Sequence, residues 1–193
     1  MNYDNTRIEL SNLVLECRIE GTSEPALVLL HGLSAHSGSW RKNFPVFAKQ
    51  RKVIAPSFPR FEVSPQKLAQ IYAQITEELL DSLRVRSAIL VGNSLGGMVA
   101  MLYALKRPNC VCAVVLENSA GVEIAESFSK TNIPTLIIWG KKDHIIPVDT
   151  AYVFKTKIAN SELVIFEDAA HVPHWEVPSR FNESVLRFTS EKC

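Results

Sequence analysis

The chain has 193 residues, 47% hydrophobic and 21% charged, which is the composition of a soluble globular domain long enough to bury a core. Its formal net charge is +1, with Lys and Arg scattered, so there is no electrostatic case for a nucleic-acid partner or an anionic membrane surface. No apolar run approaches the ~20 residues that span a bilayer, and the polar start Met1-Asn2-Tyr3-Asp4-Asn5 lacks the basic and apolar regions of a secretory signal.

Two short strands open the chain, residues 7–10 and 13–19, joined by a turn at Ser11-Asn12. Short apolar runs then recur at 26–30, 53–55, 88–91, 113–116, 135–139 and 163–166, each rich in Val, Ile and Leu and continuous rather than alternating. Such strands are covered on both faces, which implies a mostly parallel sheet between helix layers. Between them, residues 66–83 place Leu68, Ile71, Tyr72, Ile75, Leu79 and Leu80 on one helical face. Residues 94–107 are apolar nearly all round and stop ahead of Pro108, as a buried central helix would. Residues 148–158 and 180–188 are further helices. Strand–helix alternation predicts a doubly wound α/β fold in one domain over residues 1–193.

Cys17, Cys110, Cys112 and Cys193 are too few for a disulfide framework. Cys110 and Cys112, two apart in an extended-looking run, are read as disfavouring a metal clamp. The expectation is free thiols in a reducing cytoplasm, with no metal and no cofactor.

Gly92-Asn93-Ser94-Leu95-Gly96 lies between a strand and a helix; this composition yields roughly 0.03 chance matches to the pattern. A nucleophile on so sharp a turn has a strained backbone, and its neighbours two residues away must lack side chains for the chain to fold back. Gly92 and Gly96 meet that need. A serine hydroxyl also requires a base within hydrogen-bond reach and donors for the oxyanion. Of His31, His36, His144, His171 and His174, the best placed is His171, just beyond the last apolar strand at the carboxyl edge that Ser94 shares. His174 reads as a packing or rim residue, His31 as shaping a loop, and His36 as a solvated loop histidine near the site mouth. Asp143, in Trp139-Gly140-Lys141-Lys142-Asp143, reaches the same edge and can hold the imidazole tautomer. Glu117 is the runner-up acid, and Asp149 fits a helix start.

These residues resemble the α/β-hydrolase family over nearly the whole chain, in the serine hydrolase branch. The strand-end loop appears as His31-Gly32-Leu33, the nucleophile elbow as Gly92 to Gly97, the acid loop as Trp139 to Asp143 and the histidine loop as Ala170-His171-Val172-Pro173. The order Ser, Asp, His is itself the family's. By that resemblance Ser94, His171 and Asp143 form a triad, and the N–H groups of Leu33 and Leu95 an oxyanion hole. Two departures stand out. Relatives insert a helical cap after the strand at 113–116, whereas here only residues 120–132 are available, so the cap is essentially missing and an open groove is expected. The family's aspartate and glycines are replaced at Ser57, Arg60 and Glu62; Arg60 reads as a solvated loop residue.

The resemblance implies a cofactor-independent carboxylesterase acting on a small-molecule ester. Thioesters, lactones, amides and activated C–C bonds are alternatives for the same triad, the last suggested by Asn93. A binding protein that keeps the fold without turnover is a further alternative.

Overall fold

The computed structural model describes residues 5–193, so Met1 to Asp4 of the polar start lie outside the described residues. The strands are β1 (Thr6–Glu9), β2 (Val14–Glu20), β3 (Ala26–Leu30), β4 (Val53–Ser57), β5 (Ala88–Asn93), β6 (Val111–Glu117), β7 (Thr135–Gly140) and β8 (Ser161–Phe166). They form an eight-stranded sheet in the order β1-β2-β4-β3-β5-β6-β7-β8. The pairs β1–β2 and β2–β4 are antiparallel, and every pair from β4 through β3 to β8 is parallel. The apolar runs thus form a mostly parallel sheet with helices on both faces, as their continuous burial predicts.

Strand pleating divides the core. Val28 and Leu30 point with Leu90 and Leu116 toward helices α2 (Pro65–Ser82), α3 (Leu95–Lys106) and α5 (Asp149–Lys157). Leu27 and Leu29 point with Val91 and Val115 toward the short helix α1 (Phe44–Phe47) and the long α7 (Pro178–Lys192), which follows the one-turn helix α6 (Pro173–Glu176). Helix α2 starts where Ser64 accepts the Lys67 N–H at 3.3 Å and Pro65 supplies the first helical φ. Helix α3 is buried along most of its length.

The segment that would carry a cap holds a 3-10 turn (Val122–Ile124) and α4 (Ala125–Ser129). Ala125 and Phe128 are fully buried in the core with α3 and α5, so this segment packs down onto the body of the fold. Among the described residues no helix is long and apolar enough to cross a membrane.

The cysteines are not all free thiols, contrary to the expectation from the sequence. Cys112 and Cys193 form a disulfide with Cα atoms 6.0 Å apart across 81 residues of sequence. Helix α7 folds back over the sheet and brings its end to β6, a proximity that sequence spacing does not encode. Cys110 lies in the 3-10 turn Pro108–Cys110 rather than in the strand, and it and Cys17 are the free thiols. Burial pushes the Cys17 thiol up to about 12. Alkylation without reductant should therefore modify Cys110 alone in the native protein, two residues after unfolding and four after reduction. Intact-mass measurement checks this, and four alkylations without reductant would disprove the bridge.

Candidate active site

The carboxyl ends of β3, β5, β6, β7 and β8 meet where the chain reverses its direction of travel across the sheet, on either side of β3, which is the usual ligand crevice of an open α/β sheet. Ser94 stands there between β5 and α3 with φ 54° and ψ −117°, a left-handed backbone for a residue with a Cβ. The turn is held by Ser94 N–H to the Glu117 carbonyl at 2.9 Å, and by Gly97 and Ala120 N–H to the Ser94 carbonyl at 3.0 Å each. A Cβ on Gly92 would collide with the Gly96 carbonyl, and one on Gly96 with the carbonyls of Leu30 and His31. Only glycine permits that approach of elbow, helix and neighbouring strand.

Asp143 is buried in the loop after β7. Its Oδ1 accepts the N–H groups of Ile145 at 2.7 Å and Ile146 at 3.0 Å. Its Oδ2 lies 2.7 Å from His171 Nδ1 and accepts the Asn118 amide at 2.6 Å. A carboxylate only accepts, so His171 Nδ1 carries the proton and Nε2 is left with its lone pair. Burial raises the Asp143 carboxyl, but the bonds from His171, Asn118, Ile145 and Ile146 outweigh it and hold the group below the usual aspartate range. The Asn93 amide donates to the His171 carbonyl at 3.0 Å, joining the histidine loop to the residue just before Ser94.

On the other side of the elbow, a Cβ at Gly32 would sit 3.2 Å from Ser94 Cβ, so the loop of Leu33 runs directly beside the serine. Leu95, in the first turn of α3, has an N–H without an intrahelical acceptor. His31 shapes this loop: its Nδ1 donates to the Gly32 carbonyl at 2.8 Å and its Nε2 accepts the Phe58 N–H at 2.9 Å. That arrangement requires the neutral ring, and burial lowers its pKa accordingly. Ser57, at the position where relatives have aspartate, bonds Ser37 N at 3.1 Å and Ser37 Oγ at 2.8 Å. Arg60 and His144 are exposed, and Asp149 is the first residue of α5.

Two features were not read from the sequence. The Glu117 side chain, runner-up for the acid, is turned to His174 rather than His171. It accepts the His174 N–H at 2.6 Å, and Oε2 lies 2.8 Å from His174 Nδ1. His174 is therefore buried beneath the loop, its ring tilted by 31° against that of Trp40 at 4.1 Å, which is the packing role and not the rim one. Asn118, with φ 42°, bridges three segments: its amide donates to Asp143 and, at 3.2 Å, to the Ala170 carbonyl, while its Oδ1 accepts the Gly140 N–H. The one available signal was a polar Glu-Asn pair directly after an apolar strand. Among the described residues no group of three or more His, Cys, Asp or Glu side chains could hold a metal ion.

The family profile described as alpha/beta hydrolase fold matches residues 25–130 and 121–178. The chain is similar to 2-hydroxymuconate semialdehyde hydrolase of a Pseudomonas strain, 25% identical with 86% of this chain and 87% of that protein covered. That alignment runs over 245 residues, more than this whole chain has, so the relative carries dozens of residues without a counterpart here. Among solved structures, an α/β hydrolase enzyme from the metagenome of Moroccan lagoon sediments superposes with a TM-score of 0.85 at 25% identity, covering 96% of this chain and 98% of that one. A CIB-like hydrolase of Thermoplasma acidophilum gives a TM-score of 0.85 at 23% identity, covering 96% and 97%.

Proposed function

The chain belongs to the α/β-hydrolase fold family, and from that premise we propose that it is a serine hydrolase that cleaves carboxylic esters through an acyl-enzyme. The observation that carries the reading is the couple of buried Asp143 and half-buried His171, whose loop is tied by Asn93 next to a serine on a strained elbow. Ser94 Oγ attacks the acyl carbon while His171 Nε2 takes its proton, and Asp143 stabilises the imidazolium. The N–H groups of Leu33 and Leu95 are the donors for the developing oxyanion. The imidazolium then protonates the departing alcohol, and a water deprotonated by His171 releases the acid.

A fluorophosphonate probe tests this directly. Stoichiometric labelling, mapped to Ser94, is expected for the folded protein; folded protein that does not label would overturn the reading. A second reading, hydrolysis of an activated C–C bond, is favoured by the similarity to 2-hydroxymuconate semialdehyde hydrolase. Faster turnover of a 2-hydroxy-6-oxo-dienoate than of any ester would establish it.

Because residues 118–134 pack down and Ser94 is only partly buried, the site is open. Lengthening the acyl group from acetate to hexanoate should therefore change kcat/KM by less than about tenfold. Full burial of four methylenes at ~0.8 kcal/mol each would exceed a hundredfold. A climb of that size across p-nitrophenyl esters would reveal a deep pocket.

A further inference from the structure

Beside the histidine loop lies a cleft of about 220 Å³, walled by His36, Ser39, Arg41, Val172, His174 and Trp175. None of the chemical steps above uses it, yet it begins one residue past His171. Its polar lining is one-sided in charge. The Arg41 guanidinium lies 3.8 Å from the centroid of the Trp175 ring. Lys42 Nζ lies 4.1 Å from the same ring and donates to the Trp175 carbonyl at 2.8 Å. Among the described residues neither cation forms an ion pair. His36 Nδ1 accepts the Gly38 N–H at 3.0 Å, which puts the ring's proton on Nε2 as a second donor of fixed direction.

The carboxylates of the region are already engaged. Glu176 accepts the N–H groups of Ala170 at 2.6 Å and Val172 at 3.0 Å, and Glu117 is taken up by His174. What remains is a guanidinium over the face of an indole, an imidazole N–H, and the apolar sides of Val172 and Trp175. One guanidinium with one neutral donor matches a single planar monoanion, and the indole platform reduces the rotamer freedom lost on binding.

We propose that this cleft, centred on Arg41, binds a carboxylate at the far end of the substrate, so that the preferred substrates are esters carrying a second, free carboxyl group. The assignment rests on the ester-hydrolase reading for its place in the reaction, but the cleft's affinity for a carboxylate does not.

Binding is therefore measured first, on the whole protein, by Trp fluorescence. Trp175 lines the cleft, whereas Trp40 and Trp139 are buried. Glutarate should give a saturable change, neutral glutaramide none. Arg41→Gln should weaken glutarate about tenfold, Arg41→Lys less, and added salt should weaken it further. Trp175→Leu, which removes the platform, serves as a second variant should Arg41→Gln fail to fold. In kinetics, the ratio of kcat/KM for p-nitrophenyl hemiglutarate to that for p-nitrophenyl pentanoate should fall about tenfold in Arg41→Gln. A parallel ratio, 4-acetoxybenzoate to phenyl acetate, tells whether the carboxylate belongs to the alcohol side. Glutarate binding that is absent, or equal in wild type and Arg41→Gln, overturns the proposal even if esters are cleaved. Arg41-dependent glutarate binding without hydrolysis of any ester would leave the cleft standing and overturn the ester-hydrolase reading.

Discussion

Ser94→Ala is expected to fold and to lose up to ~10⁶-fold in kcat on a small chromogenic ester, because in the proposed mechanism the Ser94 hydroxyl forms the acyl-enzyme. The variant keeps the backbone bonds of the elbow, since those to Glu117, Gly97 and Ala120 all use main-chain atoms. It also keeps the strain, because alanine at φ 54° is no better placed than serine. Ser94→Gly separates the two effects. It should be equally inactive, yet more heat-stable by on the order of 1 kcal/mol, the relief of a left-handed Cβ set against glycine's larger unfolded-state entropy. For a chain of this length that is ~2–4 °C in Tm. Thermal scans with ester assays check both, and wild-type turnover by purified Ser94→Ala would remove Ser94 from the mechanism.

Asp143→Asn should cost ~10⁴-fold in kcat, the second largest effect. An asparagine that keeps its oxygen on the N–H groups of Ile145 and Ile146 turns an NH₂ toward two other donors, the Asn118 amide and His171 Nδ1–H. The imidazole escapes by moving its proton to Nε2, the atom that must accept from Ser94. Asn118 escapes by flipping, at the expense of its bonds to Gly140 and Ala170. Stability should therefore fall by ~1–3 kcal/mol at neutral pH. The pH dependence has a definite sign. The Asp143 carboxyl lies below the usual aspartate range, so its contribution is present above that range and is lost as pH falls through the folded-state value. The Tm gap between wild type and Asp143→Asn should accordingly narrow in strong acid. Glu117→Gln is the control: it can still accept the His174 N–H and should reduce kcat far less. A reversed order of the two variants would place the acid on β6.

The sequence alone determined the elements whose causes are local. Continuous Val, Ile and Leu runs specify strands buried on both faces, and Ser64-Pro65 starts α2 because a cap and a preset φ act within one turn. Gly92 and Gly96 are legible because a sharp strand–helix turn admits no side chain there. His171 and Asp143 could be chosen because parallel strands deliver their following loops to one edge, which makes chain position a guide to space.

What only the tertiary structure decided are the contacts between loops far apart in the chain. Asn118 reaches Asp143 and Ala170 across 25 and 52 residues. Glu117 takes His174 across 57, and Cys112 meets Cys193 across 81. None of these leaves a periodic or spaced pattern, because each depends on the height at which neighbouring strands end and the direction in which their loops turn. The same cause places Arg41 on Trp175 and so makes a cleft from two unrelated segments. Local chemistry names the candidate reacting groups; the register of the sheet sets which of their neighbours hold them in position.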